Sequence, residues 1–349
     1  MSHPGYQYTL TTLIIILLMI QTGCKPGDSG DSLEQDDSPE VIDSIPPGRE
    51  KRVWRGADIQ LKKGLEYEQY TLDDEYPYKD TVRRFQWEKI KEKIALIENA
   101  VADGGNWGVL SNYKNQNGEA PTIGGFVRNE YGRVSDQFGV ERYQSVPLYT
   151  VEGTGEGEGE TELLRYGRDG WLVKIPDSDT TEMVRVQGVS FEGEYLLPNR
   201  YLKPWGDTIR FDKVVVVDVT HQNITLLQKR GDAWHILSMN PATTGMHKPP
   251  HAQETPTGIF ALQEKKEKMY YVRDGTSQIA GYAPYASRFT NGAYVHGVPV
   301  QLPRKSIIEY SPSLGTTPRS HMCVRNASSH SQFVYDRATV KESVVVVID

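Results

Sequence analysis

The stretch Tyr294-Val295-His296-Gly297, answered some two dozen residues later by Ser320-His321-Met322-Cys323-Val324-Arg325-Asn326, governs the reading of this chain. A thiol attacks a carbonyl as thiolate, so it needs a nearby base or positive field, and then donors for the oxyanion that forms. A lone cysteine elsewhere packs as a small hydrophobe. Here Val324 is the sole aliphatic side chain beside Cys323, while Ser320, His321, Arg325 and Asn326 are polar, a composition suited to a cleft. From Val298 to Asn326 the basic residues Arg304, Lys305, Arg319 and Arg325 stand against Glu309 alone, which favours an acidic substrate. Ala327 to Ala338 reads as a helix with Phe333 and Val334 inward and Asn326 as its cap. Cys323 would then lie just ahead of a helix N-terminus, whose partial positive charge favours thiolate.

The order His-Gly, spacer, Ser-His-x-Cys-Val-Arg resembles the active-site signature of the L,D-transpeptidase catalytic domain family. Upstream, Thr255-Pro256-Thr257-Gly258-Ile259-Phe260 is similar to a strand entry common in that family, and the resemblance covers about Val214 to Asp349. It implies a mainly β fold: a β-sandwich catalytic domain with His and Cys on one cleft and one helix after the Cys. It implies an acyltransferase acting on peptidoglycan stem peptides without a cofactor. Residue by residue, it makes Cys323 the nucleophile and His296 the base, with the carbonyl of Gly297 orienting the ring. Ser320 and His321 shape the cleft, amides around Met322 and Cys323 hold the oxyanion, and Arg325 supports the loop or a substrate carboxylate. Tyr294 is a further candidate substrate contact. Tyr282, Pro284 and Tyr285 would form an aromatic lid, or simply pack. Met322 stands where the family has Gly, a position that suggests positive φ or close backbone approach, both of which a side chain resists.

The N-terminus reads as an address. The apolar run Leu13 to Ile20 is far short of the roughly 20 residues a spanning helix needs, so residues 1–23 are expected to be a signal peptide. Gln21-Thr22-Gly23-Cys24 resembles a lipobox, with Cys24 lipidated; a plain secretory signal is the alternative. The chain has two cysteines, and if Cys24 carries lipid then Cys323 has no partner, as expected of a reactive thiol. The rival is a disulfide between them. Residues 24–50 hold Gly, Ser, Pro and acids with almost nothing to bury, the composition of a disordered tether or a solubilising tail. The expected location is the cell envelope, lipid-anchored and facing the periplasm.

Three further regions follow. In 51–137 the clearest element is a helix over Asp80 to Ala102, with Trp87, Ile90, Ile94, Ile97 and Val101 forming a docking stripe rather than a coiled coil. In 138–206 short β runs alternate with turns, at Ser145 to Val151, Leu163 to Tyr166, Trp171 to Ile175, Met183 to Val186 and Tyr195 to Leu197. Gly153 to Glu160 is a low-complexity loop. Ser145-Val146-Pro147-Leu148-Tyr149, Gly170-Trp171-Leu172-Val173 and the stretch from Gly193 to Leu202 resemble bacterial Src-homology-3-like modules, which implies a small β-barrel that binds peptidoglycan or braces its neighbour. In 212–349, strands are expected at Val214 to Val219, Ile224 to Gln228, Trp234 to Met239, Gly258 to Leu262, Met269 to Val272, Ala293 to Gly297 and Val344 to Ile348.

The net charge of −7 and the lack of a phosphate-cradling Gly loop argue against nucleic acid. His247 and His251 flank Pro249 and Pro250, so helical i,i+4 presentation to a metal is closed to them. Two classes of function remain: a Cys acyltransferase, with an amine or water as acceptor, and a lipid-anchored scaffold whose catalytic domain has degenerated, Met322 being its first symptom.

Overall fold

Two valine runs, Val214 to Val217 and Val344 to Val347, are buried at every position. A strand apolar on both faces belongs in the middle of a sheet covered on both sides, and that is where these two lie, paired in parallel. The computed structural model describes residues 52–151, 161–176 and 182–349. The proposed signal segment, Cys24, the tether and the loop Gly153 to Glu160 lie outside the described residues.

In chain order the N-terminal region supplies β1 (Gln60–Lys63), the hairpin β2 (Glu75–Tyr78) and β3 (Thr81–Arg84), and helix α1 (Trp87–Ala102). The helix expected from Asp80 therefore begins seven residues later. Lys79, at φ 52°, turns the chain so that Thr81–Arg84 pair with β2, and β-branched Thr81 and Val82 suit a strand. Next come β4 (Asn106–Leu110), the short pair β5 (Val127–Arg128) and β6 (Val134–Ser135), β7 (Ser145–Tyr149), β8 (Leu163–Arg168), β9 (Leu172–Ile175), β10 (Met183–Gly188), β11 (Glu194–Pro198) and β12 (Leu202–Gly206). The C-terminal region holds β13 (Lys213–Asp218), β14 (Asn223–Arg230), β15 (Ala233–Pro241), β16 (Gly258–Ala261), β17 (Glu264–Val272), β18 (Ile279–Thr290), β19 (Ala293–His296), β20 (Val300–Gln301), β21 (Val324–Arg325), α2 (Ser328–Arg337) and β22 (Ser343–Ile348).

A six-stranded sheet runs β1-β15-β14-β13-β22-β16. Alternation along its strands sends Val215, Val217, Val345 and Val347 to one face, where they meet Phe289, Val295, Val324 and Val334 of a second sheet, β17-β18-β19-β21, and of α2. On the other face Val214, Val216, Val344 and Val346 meet Ile90, Ile94 and Ile97 of α1. The fold is thus mainly β, a β-sandwich with one helix after Cys323 and α1 docked outside by its apolar stripe. That stripe also carries Glu98, buried and bonded to Trp234 Nε1 at 2.9 Å and Lys229 Nζ at 2.7 Å, which fixes the helix rotationally. The strand β18 went unread in the sequence because Ala, Gly and Pro dilute its alternation.

A seven-stranded antiparallel sheet, β12-β4-β9-β10-β11-β7-β8, precedes the sandwich. It draws β4 from well before residue 138, inserted between β12 and β9. One continuous core joins it to the sandwich: Trp171, Val173 and Tyr166 lie in the same apolar cluster as Phe260 and Phe289, and Trp171 bridges to Phe260 by backbone. Among the described residues no helix is long and apolar enough to cross a membrane.

Candidate active site

The site is built on two short strands. β19 and β21 pair in parallel, with Val295 opposite Val324 and His296 opposite Arg325. Both valines point into the sandwich core. The period of two then turns Tyr294, His296, Cys323 and Arg325 to the other face, and extending the register by one sets Cys323 beside Tyr294. Two pairs of residues from distant stretches of the chain come together because two valines must be buried.

His296 is 2% exposed, and its Nδ1 lies 2.6 Å from the Gly297 carbonyl oxygen. A carbonyl only accepts, so Nδ1 carries the hydrogen and Nε2 keeps a lone pair. Burial drives the imidazole down to about 4, against the raising effect of that bond and with Arg325 adding to the depression. At neutral pH the ring is an uncharged base. Gly297 itself has no room for a side chain: a Cβ would meet Ser328 Oγ at 2.6 Å and Pro284 Cγ at 2.9 Å.

Cys323 is half-buried, and its Sγ donates to the Gly292 carbonyl at 3.5 Å. Burial pushes the thiol up, opposed by the Tyr294 backbone and by the Arg325 charge. This corrects the expectation of a helix-stabilised thiolate. The two-residue β21 intervenes, so α2 starts five residues beyond Cys323, and the field of a helix end fades beyond its first turn. The expected cap is corrected too. Ala327 is the N-cap, while Asn326 is buried with its Oδ1 accepting from the Ser331 hydroxyl.

Ser320 is fully buried; its hydroxyl donates to the Cys323 carbonyl and accepts the Met322 amide at 3.3 Å, closing the turn around the nucleophile. Met322 has φ 121°, a backbone state that suits glycine. It is held there from two sides. Thr255 Oγ1 donates to the Met322 carbonyl at 2.7 Å while accepting the Gly245 amide at 2.8 Å, and Gly245 presses so close that a Cβ on it would lie 2.7 Å from Met322 Cα. Thr255 opens the Thr-Pro-Thr-Gly stretch, so that motif's threonine buttresses the nucleophile loop. Arg325 is half-buried, with its Nε buried and unpartnered among the described residues.

Of the other named residues, all but Tyr294 lie apart from this group. His321 is exposed and meets Asp274 at 3.1 Å, at the tip of the β17–β18 hairpin. Tyr294 is buried with its hydroxyl donating to Glu264 at 3.2 Å and accepting from Lys266 at 3.2 Å. Tyr282 is buried and donates to the Lys305 carbonyl at 2.7 Å, and the Tyr285 ring packs against Tyr335 of α2. His247 bonds to Glu130 and Glu254, and among the described residues no group of His, Cys, Asp or Glu is arranged to hold a metal ion. Sequence reasoning missed Gly292, whose carbonyl accepts a hydrogen bond from the thiol, and Asp169 and Arg288 behind it. Their sequence neighbourhoods carry no motif.

Residues 212–347 match YkuD, the L,D-transpeptidase catalytic domain. The matched stretch begins just ahead of β13 and ends inside β22, and it contains His296, Gly297, Ser320, Cys323 and Arg325. Among solved structures the chain is similar to an L,D-transpeptidase from Mycobacterium smegmatis, at 18% identity over 51% of this chain and 82% of that one, TM-score 0.34. It is similar to L,D-transpeptidase 3 from Mycobacterium tuberculosis, at 18% identity over 45% and 74%, TM-score 0.32. It is also similar to an L,D-transpeptidase from Xylanimonas cellulosilytica, at 21% identity over 40% and 62%, TM-score 0.28. No curated protein matches the chain.

Proposed function

We propose that the chain is a peptidoglycan L,D-transpeptidase in which Cys323 is the nucleophile and His296 the base. The observation that carries this is the face shared by His296, Cys323 and Arg325, with the imidazole tautomer fixed by Gly297. The donor is a tetrapeptide stem. Its third-residue carbonyl carbon is attacked by Sγ as the thiol proton passes to His296 Nε2, which requires the thiol to turn from Gly292 toward the ring. The pair rests uncharged, so charge separates only when substrate is seated. The oxyanion falls to the backbone amides of Met322 and Cys323, the first held only by a long contact to Ser320. Collapse breaks the peptide C–N bond, and D-alanine leaves with the proton from His296. The thioester is resolved by an amine of a second stem, or by water in a carboxypeptidase or endopeptidase. Arg325, on the same face as His296 and Cys323, offers its guanidinium to a stem carboxylate.

The degenerate-scaffold reading is disfavoured by Met322 itself, because the loop keeps the glycine-like backbone although the glycine is gone. Export through residues 1–23 and lipid anchoring at Cys24, with the body facing the periplasm, complete the proposal. The test incubates the full-length chain and Cys323→Ala with purified tetrapeptide muropeptides, followed by mass spectrometry of protein and products. A thioester adduct and released D-alanine, seen only with the cysteine, are expected. Their absence from the wild-type protein, with retained binding to peptidoglycan, would hand the function to the scaffold.

A further inference from the structure

The seven-stranded sheet sends one turn, Asp169-Gly170 between β8 and β9, into the sandwich beneath the strand that borders the nucleophile. Asp169 is fully buried, as is the end of β18 that it meets. Its Oδ2 accepts from Arg288 Nη1 at 2.8 Å, from the Asn291 amide at 2.9 Å and from Gln263 Nε2 at 3.1 Å. Its backbone carbonyl accepts the Thr290 hydroxyl at 2.6 Å, and its Oδ1 accepts the Asn112 amide at 3.0 Å. Gly170 lies so close to the Phe289 carbonyl that a Cβ would stand 2.0 Å from it. Residues 289, 290 and 291 are thus gripped in succession. The next residue is Gly292, whose carbonyl accepts a hydrogen bond from the Cys323 thiol.

We propose that Asp169 is a positioning residue for the nucleophile: through the Thr290-Asn291-Gly292 turn, the accessory sheet sets where Sγ rests and how readily it ionises. Two paths lead from Asp169 to the sulfur. The mechanical one is the turn, since a carbonyl that holds the thiol proton favours the neutral form and fixes the rotamer. The electrostatic one runs through Arg288, which is 10% exposed at its side chain and also lies 3.5 Å from Glu264. Arg288 is paired across the strands with Tyr294, the neighbour of Cys323. Asp169 is the nearer of the two carboxylates that face that cation. Charged and titratable groups around Arg288 are Asp169, Glu264, Lys266, Tyr113 and Tyr294. The accessory sheet is then part of the catalytic apparatus rather than a detachable wall-binding unit.

The inference rests on Cys323 being the working thiol, and its deciding readout is the thiol itself, with turnover as a second one. In the full-length chain, the rate of Cys323 alkylation by iodoacetamide is followed against pH for wild type, Asp169→Asn, Thr290→Val and Val184→Ala. Val184, buried in β10 away from the turn, controls for general loosening of the sheet. Asp169→Asn leaves Arg288 facing Glu264 alone and slackens the Gly292 turn, so the alkylation midpoint should move to lower pH. Turnover should nonetheless fall on the order of tenfold to a hundredfold in kcat, with KM little changed, as for a misplaced reacting atom. Thr290→Val removes one bond and no charge, and should lower kcat with a smaller shift in the profile. Val184→Ala should keep the wild-type profile. Unchanged profiles in both Asp169→Asn and Thr290→Val, or an equal shift in Val184→Ala, would overturn the inference. If Asp169→Asn does not fold, Thr290→Val decides alone. A shifted profile in a chain that releases no D-alanine would retain the inference and sink the transpeptidase reading.

Discussion

Replacing Met322 by Gly and by Ala should reverse the usual stability order of those two residues. At an ordinary position Gly is worse than Ala by roughly 0.5–1 kcal/mol, through the backbone entropy it loses on folding. At φ 121° any residue with a Cβ carries a strain of about 1–3 kcal/mol that glycine escapes. The difference leaves Gly ahead of Ala by about 0.5–2 kcal/mol. Met shares the strain with Ala but packs a half-buried side chain against the main apolar cluster, worth roughly 1 kcal/mol. The expected order is therefore Gly close to Met, with Ala lowest. Urea unfolding at pH 7, compared at a common slope, measures it. An Ala variant as stable as the Gly variant would refute the argument, showing either that the loop relaxes to negative φ or that Thr255 and Gly245 do not hold it. Met322→Gly should also keep Cys323-dependent activity, since the loop geometry it needs is already present.

Two predictions concern pH. His330 is fully buried on α2, with Nε2 at 2.9 Å from Ser238 Oγ, Nδ1 without a partner among the described residues and the Tyr67 ring 4.9 Å away, and burial presses it down to about 3. The unfolded chain takes up this proton below about 6.5 while the native chain resists until about 3, so stability is full above 6.5 and is lost as pH falls through that window. The loss at pH 5 is about 2 kcal/mol, and His330→Gln should flatten the fall between pH 7 and 5 by that amount in denaturant titrations; an unchanged slope would count against a neutral buried His330. His296 follows the same sign at its site. The acid limb of kcat/KM should lie near pH 4 rather than near 6.5, because the base is lost only when the buried ring finally protonates. A limb at the ordinary histidine value would show that the ring is solvated in the working enzyme.

Much of this protein was legible in one dimension. The valine runs announced strands, and the stripe from Ile90 to Ile97 announced a docked helix, because burial imposes its own period on a sequence. His296, Gly297, Ser320 and Cys323 stood out as candidates through their residue types and the order of a motif that resembles a known signature. Other features were not. The start of α1 depended on whether Thr81–Arg84 found a partner strand, and the thiol's state depended on how far α2 lies beyond Cys323 and on a carbonyl from residue 292. Met322 marked a departure in the sequence, but only the backbone shows that the loop kept its shape and carries the strain. Asp169 had no signal at all. Sequence alone determines which residues must be buried and which chemistry is available. Tertiary structure decides solvation, hydrogen-bond partner and charge, because those are set by groups a hundred residues away that only packing brings within 3 Å.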